Sequence, residues 1–280
     1  MIALLFALAL TTISQEVPAV CDPQDGGETD WAACAAALPE GSSQQRFARL
    51  NQATAAYFDG DYGEATRVFD RLGPLDDLPL AEVHAFRADT YQQVGRDKAA
   101  TASARTAWRI MSAAGPGAPE STPAADASYE EEQRYLLSLI LPILKKGRDP
   151  LFDEAFAAFR ALPVKDADGY GSLALVLEQL GDLDGALEAS LSAVKAEPAN
   201  PGYLNNHCYI LVRSGRPAEG LPYCEKAVRG APEVAAVRHS LAAALAGVGR
   251  CAEAETALAE ARRMDPATIL YQEPIACTGR

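Results

Sequence analysis

The chain has 280 residues, of which 49% are hydrophobic, 22% are charged and only 7% are aromatic. This composition excludes intrinsic disorder, because a disordered chain has too little apolar surface to bury. The net charge of −13 excludes a large surface for duplex nucleic acid, since contacts to phosphates need clustered cations. Alanine is abundant and has the highest intrinsic helix propensity, so the composition favours helices.

The first element along the chain is an apolar run at residues 1–10, MIALLFALAL. It is too short to span a bilayer, which takes about 20 residues. Its length and position favour a secretory signal, with small residues for cleavage at 12–14 and 17–19. We therefore predict a signal peptide within residues 1–19 that ends at about residue 14–19, and a periplasmic or secreted protein without a stable membrane span. The alternative is a buried first helix, because no lysine or arginine precedes the run.

Six cysteines are spread over the chain, and none of them forms a CxxC pair. An even number of cysteines behind an export signal favours disulfides over metal binding or thioredoxin-like redox chemistry. Spacing alone leaves 15 pairings open. The cysteines are Cys21, Cys34, Cys208, Cys224, Cys251 and Cys277.

Two landmarks recur with a period of 34 residues in the C-terminal half of the chain. The glycines are Gly181, Gly215 and Gly249, and the prolines are Pro198, Pro232 and Pro266. With glycine at position 15 and proline at position 32 of each unit, the sequence resembles the tetratricopeptide repeat (TPR) family, a helix-turn-helix repeat. The alanines expected at positions 20 and 27 are Ala186, Ala193, Ala227, Ala254 and Ala261, while Gly220 takes the place of one alanine in the middle unit.

Two more units resemble the repeat around Gly60 and Gly95, and a third hairpin lacks the glycine in frame. The resemblance implies an all-α solenoid of about six helix-turn-helix hairpins that form a right-handed superhelix. We expect Pro142 to kink the first helix of the degenerate hairpin. The predicted segments are a signal peptide at 1–19, a cysteine-containing segment at 20–45, two units at 46–114, a linker rich in Pro, Gly and Ala at 115–128, the degenerate hairpin at 129–166, three units at 167–268 and a C-terminal tail at 269–280.

The repeat numbering narrows the cysteine pairings. Cys208 and Cys224 stand at positions 8 and 24 of one unit, on the two helix faces that touch in a TPR hairpin, so we expect a disulfide between them. The alternative is a pair of buried thiols that only pack. The remaining pairs would be Cys21 with Cys34, which ties down the N-terminal segment, and Cys251 with Cys277, which folds the tail onto the last hairpin.

The sequence contains no constellation typical of catalysis. The three histidines form no HExxH motif, and no GxSxG, P-loop or GxGxxG motif is present. We therefore predict no enzymatic activity, no cofactor and no metal site.

In the TPR family, partners usually bind a groove face formed by positions 2, 5, 9, 12 and 13 of the first helix of each unit. The resemblance therefore implies a non-catalytic scaffold for protein or peptide partners. The style of the predicted export signal adds the expectation that this scaffold works in the bacterial cell envelope. The alternatives are an accessory subunit of an envelope enzyme complex or a self-associating structural protein, and the oligomeric state stays open. The candidate partner-binding residues are Tyr57, Phe58, Asp89, Gln92, Gln93, Asn205, Tyr209, Arg213 and His239, and Leu50, Glu82, Asp168 and Glu178 share the groove positions. For each of them the alternative is an ordinary solvated helix position.

Overall fold

The computed structural model describes residues 18–21, 29–75, 77–114 and 129–278. Nearly all of the predicted signal peptide and the whole predicted linker lie outside these residues. Every regular element in the described ranges is helical. A short 3-10 helix at Ala19–Cys21 precedes α1 (Trp31–Ala37), α2 (Ser43–Phe58), α3 (Tyr62–Leu72), α4 (Ala81–Gln93), α5 (Asp97–Ala114), α6 (Tyr129–Lys146), α7 (Phe152–Ala161), α8 (Ala167–Gln179), α9 (Leu183–Ala196), α10 (Pro201–Arg213), α11 (Pro217–Gly230), α12 (Ala235–Gly247), α13 (Cys251–Met264) and α14 (Ile269–Gln272).

Consecutive helices pack against each other as hairpins. The hairpins fall into two compact parts of the chain, each larger than one repeat, which we call unit 1 (residues 1–162) and unit 2 (residues 163–280). Unit 1 contains the pairs α2–α3, α4–α5 and α6–α7, and α1 packs on α2. Unit 2 contains the pairs α8–α9, α10–α11 and α12–α13, and α14 follows the last pair. The predicted all-α fold built from helix-turn-helix hairpins is therefore confirmed.

Short polar side chains start many of these helices. The carboxylates of Asp61, Asp166 and Asp182 each accept a hydrogen bond from the backbone N–H three residues later, and Ser42 does the same for α2. Such caps satisfy backbone donors that have no partner inside the helix. Because Ser42 caps α2, this helix begins three residues before the predicted first unit.

The turn inside each regular hairpin depends on glycine. Gly60, Gly95, Gly181, Gly215 and Gly249 all have φ between 74° and 81°, a left-handed conformation that L residues with a Cβ adopt only at a cost. In the hairpin α10–α11, the N–H of Gly215 donates to the carbonyl of Val212, and the N–H of Arg216 donates to that of Leu211. This pair of bonds ends the first helix and reverses the chain.

Small residues let the two helices of a hairpin approach closely. The alanines at positions 8 and 20, such as Ala53 and Ala65 in α2–α3, are fully buried. Gly220 stands at position 20 of α10–α11, and a Cβ there would lie 3.0 Å from the carbonyl oxygen of Cys208. The departure from alanine therefore has a steric reason, since the helices of this hairpin are too close for a methyl group without adjustment.

Three disulfides are present: one joins the pair that the repeat numbering favours, and the other two join the remaining pairs expected from the sequence. Cys21 bonds to Cys34 beside α1, Cys208 bonds to Cys224 between α10 and α11, and Cys251 bonds to Cys277 at the start of α13. Further bonds hold the tail that carries Cys277. Arg262 donates from Nε to the carbonyl of Tyr271 at 2.6 Å, and Thr278 donates its N–H to the carbonyl of Ala246 at 3.1 Å.

Within the described ranges, none of the helices combines the length and the apolar character needed to cross a membrane. The apolar stretch of α6 instead belongs to the core of unit 1, where Leu137, Ile140, Leu141 and Leu144 are buried. Pro142 lies inside this helix, which runs from Tyr129 to Lys146.

Candidate functional site

Aromatic side chains from three hairpins meet in unit 1 around Tyr57 and Phe58, two of the predicted groove residues. The ring of Phe86 in α4 lies 5.2 Å from both Tyr57 and Phe58 in α2, and 6.3 Å from Tyr135 in α6. Phe58 is 39% exposed and Tyr135 is 44% exposed, whereas Tyr57 and Phe86 are buried beneath them. We call these four residues the aromatic patch. It offers apolar ring surface to solvent, which is a common property of surfaces that bind partners.

Carboxylates border the aromatic patch. Asp89 accepts a hydrogen bond from the hydroxyl of Tyr57 at 2.9 Å and another from Nε2 of Gln93 at 3.1 Å. Burial raises the pKa of Tyr57, and the charge of Asp89 raises it further, so this phenol stays protonated at physiological pH. Burial also raises the pKa of Glu82, and the negative charge of Glu132 adds to this effect.

Three buried polar atoms at groove positions have neither a hydrogen-bond partner nor an ion-pair partner among the described residues. They are Oε2 of Glu82 and Oε1 of Gln92 in unit 1, and Oδ1 of Asn205 in unit 2. Buried polar atoms in folded proteins nearly always have a partner, because leaving one unsatisfied costs about 1–3 kcal/mol. A donor that reached one of these acceptors after a local shift of side chains would remove this cost.

The groove positions of unit 2 carry a charged cluster on α8 and α10. Glu178 forms an ion pair with Nη1 of Arg213 at 2.5 Å, and the guanidinium of Arg213 lies 5.9 Å from the ring centre of Tyr209. The hydrogen bond with Tyr209 and the charge of Glu178 raise the pKa of Arg213 above its usual range. Arg213 is exposed and Tyr209 is partly exposed, so the cluster presents one guanidinium and one phenol to solvent.

Tyr203 in α10 packs against two groove positions of the preceding hairpin, those of Asp168 and Gly171 in α8. Its hydroxyl donates a short hydrogen bond to Asp168, which raises the pKa of Tyr203 to about 12. A Cβ at Gly171 would lie 3.0 Å from Cε1 of Tyr203, so any larger residue would force the ring to shift. The ring of Tyr203 therefore covers position 5 of the hairpin α8–α9, where Gly171 stands.

His239 differs from the other candidate residues because the tail covers it. Its ring lies 5.2 Å from that of Tyr271 in α14, and the residue is only 8% exposed. Burial lowers the pKa of His239, so the ring is neutral over most of the physiological range. With α14 in place, its side chain is not accessible to a partner.

Sequence reasoning missed Phe86 and Tyr135. Phe86 stands at position 6 of its unit, outside the positions assigned to the groove, and its ring reaches the patch from there. Tyr135 belongs to the degenerate hairpin, whose numbering could not be fixed without the glycine. In the structure, Arg148 takes the place of that glycine with φ of 50°. Counting back from Arg148 places Tyr135 at position 2, which is a groove position.

The groove faces supply ring surface, carboxylates, amides and one exposed guanidinium. In the described part of the chain, no group of three or more histidine, cysteine or acidic side chains is arranged to hold a metal ion. The arrangement is suited to binding an extended chain, since amides accept backbone N–H groups and rings contact apolar side chains.

Comparisons with known proteins agree with this architecture. The sequence profile of the tetratricopeptide repeat matches residues 167–200, which span the hairpin α8–α9. No curated protein matches the chain. A crystal structure of a tetratricopeptide repeat protein from Parabacteroides merdae shares the fold, with a TM-score of 0.61, 12% sequence identity, and coverage of 86% of this chain and 87% of that one. The C-terminal part of a TPR repeat-containing protein from Cytophaga hutchinsonii is also similar, with a TM-score of 0.46, 16% identity, and coverage of 77% and 78% of the two chains.

Proposed function

Because the chain is a tetratricopeptide repeat protein, we propose that it is a non-catalytic scaffold whose groove faces bind extended segments of partner proteins. One observation carries this proposal: Glu82, Gln92 and Asn205 each keep a buried acceptor atom without a partner, and all three stand at groove positions. A peptide backbone or a donor side chain laid along either face would satisfy these atoms.

The chemistry of unit 1 favours a partner segment with an apolar side chain next to lysine or arginine. Phe58 and Tyr135 present ring surface, and Glu82 and Asp89 supply negative charge beside it. A cation is attracted both to the carboxylates and to the faces of the rings. An acidic segment would instead be repelled.

The first experiment measures the binding of a peptide array to the purified chain. We expect peptides with Leu or Phe beside Lys or Arg to bind, and the same peptides with Glu in place of the basic residue to lose at least about tenfold in affinity, or about 1.4 kcal/mol. The variants Phe58→Ala and Glu82→Gln are each expected to weaken binding to unit 1 by about fivefold or more. Arg216→Ala is the matched control, because this exposed residue lies outside the groove positions and pairs with Glu219.

Binding is also expected to depend on pH through Glu82. Its pKa is raised, so the carboxylate takes up a proton at a higher pH than an ordinary glutamate, whose pKa is about 4.3. Affinity for a basic peptide would fall as the pH drops through that raised value, and Glu82→Gln would remove this part of the pH dependence. The proposal fails if the array shows no preference for basic peptides and both groove variants bind like the wild type.

We further propose that the protein works in an oxidising compartment, the periplasm or the extracellular space. The three disulfides support this location, because such bonds persist where thiols are not kept reduced. Expression with the native N-terminus, followed by N-terminal sequencing and thiol mapping of the extracytoplasmic fraction, tests the proposal. We expect a new terminus within the first 20 or so residues and no free thiol. A protein that stays inside the cell with reduced cysteines would contradict it.

A further inference from the structure

A second site lies in unit 1, away from the groove face. It is a pocket of about 320 Å³ between α3, α4 and α5. The residues that define its chemistry are Asp70, His84, Arg87, Tyr91, Arg96 and Ser103. We call it the Arg87 pocket.

The geometry of α4 separates this pocket from the groove positions. Successive residues of an α-helix are rotated by about 100°, so His84, Arg87 and Tyr91 fall on one side of the helix. Asp89 and Gln92, which belong to the groove face, fall on the opposite side. A ligand in the Arg87 pocket would therefore not compete directly with a peptide at the aromatic patch.

The charges in the pocket do not balance. Asp70 accepts hydrogen bonds from Nη1 of Arg96 at 2.7 Å and from the hydroxyl of Tyr91 at 2.9 Å. Burial works against ionisation of Asp70, but these bonds and the charge of Arg87 outweigh it and hold the pKa of this carboxyl below its usual range. Among the described residues that line the pocket, one carboxylate thus faces two guanidiniums, which leaves a surplus of one positive charge in a chain whose net charge is −13.

Arg87 is the guanidinium that carries this surplus. Its Nε donates to the hydroxyl of Tyr91 at 3.2 Å, and its charge lies 5.4 Å from the centre of that ring. This contact fixes the direction of the side chain. Among the described residues, its two terminal nitrogens are engaged in no ion pair, so they can act together as a planar pair of donors.

Another hairpin provides an internal control for the role of Arg87. Arg250 and Glu225 in unit 2 stand at the same repeat positions as Arg96 and Asp70, and they form the equivalent ion pair at 3.7 Å. The positions of Arg87 and Tyr91, however, are held there by leucines, Leu241 and Leu245. The hairpin therefore packs without an arginine and a tyrosine at these positions, and their presence in α4 calls for another explanation.

The remaining wall keeps the pocket open because its side chains are small. Ala99, Ala102, Ser103 and Thr106 line it from α5. The pocket is large enough for a whole side chain of glutamate size, and Ser103 adds a hydroxyl to the lining. His84, on the other wall, has its Nε2 3.2 Å from the carbonyl of Leu78.

We propose that the Arg87 pocket binds a carboxylate, which Arg87 holds through two parallel N–H···O bonds. A carboxylate matches both the single surplus charge and the planar donor pair. A phosphate dianion fits less well, since its second charge would face Asp70. The carboxylate belongs either to a small free acid or to an acidic side chain of a peptide, and both sources present the same group to Arg87.

Nuclear magnetic resonance of the arginine Nε–H groups tests this proposal on the full chain. The probes are butyrate with butyramide as its neutral control, and acetyl-Ala-Glu-Ala-amide with the corresponding glutamine peptide. We expect the signal of Arg87, assigned by its loss in Arg87→Gln, to shift saturably with the carboxylates, with a Kd on the order of millimolar for so small a group. The neutral probes are expected to leave it unchanged. Tighter binding of the peptide than of butyrate would identify an acidic side chain as the source, and equal binding would identify a free acid.

Two variants separate the site from general effects of charge. Ser103→Leu fills the pocket but keeps Arg87, and it is expected to abolish the shift. Arg216→Ala removes an exposed arginine elsewhere and is expected to leave binding unchanged. The proposal is overturned if carboxylates and amides act alike, if no saturable shift occurs with either carboxylate, or if Ser103→Leu binds like the wild type while its circular dichroism spectrum shows a folded protein.

Discussion

The hairpins α6–α7 and α10–α11 have the same helix-turn-helix fold, but they differ in the residue at the turn and in the bonds that stabilise them. In α10–α11 the turn has Gly215 with φ of 74°, and a disulfide joins the two helices. In α6–α7 the turn has Arg148 in the left-handed region, and no disulfide joins these two helices. The two turns share their hydrogen bonds nonetheless, since the N–H of Arg148 donates to Lys145 and that of Asp149 donates to Leu144.

Comparison with a third hairpin shows what the degenerate one preserves. Ala155 and Phe159 stand three and seven residues after the start of α7, as Ala65 and Phe69 do after the start of α3, and all four are fully buried. The chain between Arg148 and α7 is two residues longer than the corresponding chain after Gly60. The packed faces are therefore retained although the turn has changed, because side chains between the helices bury most of the apolar surface.

The largest difference between the two hairpins is expected from removing the disulfide in α10–α11. The double substitution Cys208→Ala and Cys224→Ala releases a crosslink with a sequence separation of 16 residues, and the loop-closure entropy predicts a loss of about 3 kcal/mol. Hydrogen exchange of the amides in α10 and α11 measures the free energy of local opening. A change below about 1 kcal/mol would mean that packing alone holds this hairpin.

The turn of α6–α7 is instead tied to the preceding hairpin by an ion pair. Arg105 in α5 binds Asp149 through Nη2 at 2.5 Å, and the side chain of Asp149 is completely buried while Arg105 is 42% exposed. Arg105→Leu would leave a buried carboxylate without its counter-ion, and we expect a loss of about 2 kcal/mol in the free energy of unfolding.

Urea denaturation followed by circular dichroism checks this loss. Lys146→Leu is the control, because its pair with Asp97 is exposed on both sides and is worth about 0.5 kcal/mol or less. Adding Asp149→Asn to Arg105→Leu is expected to recover part of the stability. If the two single variants lose the same amount, the burial of Asp149 does not matter.

Replacing the glycine in the turn of α10–α11 is expected to destabilise the protein. A Cβ at Gly215 would meet no atom within 4 Å, so Gly215→Ala tests the backbone conformation alone. We expect a loss of about 1.5 kcal/mol, from the cost of the left-handed conformation for a residue with a Cβ. Gly63→Ala, inside a helix, is the control and is expected to be neutral or stabilising. Equal effects of both substitutions would refute the role of the turn.

The smallest expected effect is a gain in stability, not a loss. Arg148→Gly removes the strain of a left-handed arginine from the turn of α6–α7, and a gain of about 1 kcal/mol is expected. Arg148→Ala separates the backbone from the side chain, because alanine keeps the Cβ and is expected to change little. Thermal or urea unfolding of the three proteins measures the differences. A loss of stability in Arg148→Gly would show that the arginine side chain itself supports the turn.

The regular hairpins could be predicted because their requirements are local and periodic. A left-handed turn needs glycine, and two helices in close contact need small residues, so Gly181, Gly215 and Gly249 and the alanines that follow them recur at a fixed spacing. The same numbering placed Cys208 opposite Cys224. The degenerate hairpin was predicted as a hairpin, but its repeat numbering could not be fixed, because two inserted residues and an arginine removed the glycine landmark. Tyr135 was therefore not assigned to a groove position.

The sequence by itself therefore indicated the helical hairpins, their order and the pairing of Cys208 with Cys224, since each depends on residues within one repeat or its neighbour. Only the tertiary structure decided which side chains meet between repeats. The aromatic patch takes residues from α2, α4 and α6, and the Arg87 pocket takes them from α3, α4 and α5. The structure also placed Tyr271 over His239 and left Glu82, Gln92 and Asn205 with unsatisfied acceptors. Such features depend on side-chain directions and on the exclusion of water, which the periodicity of a sequence does not specify.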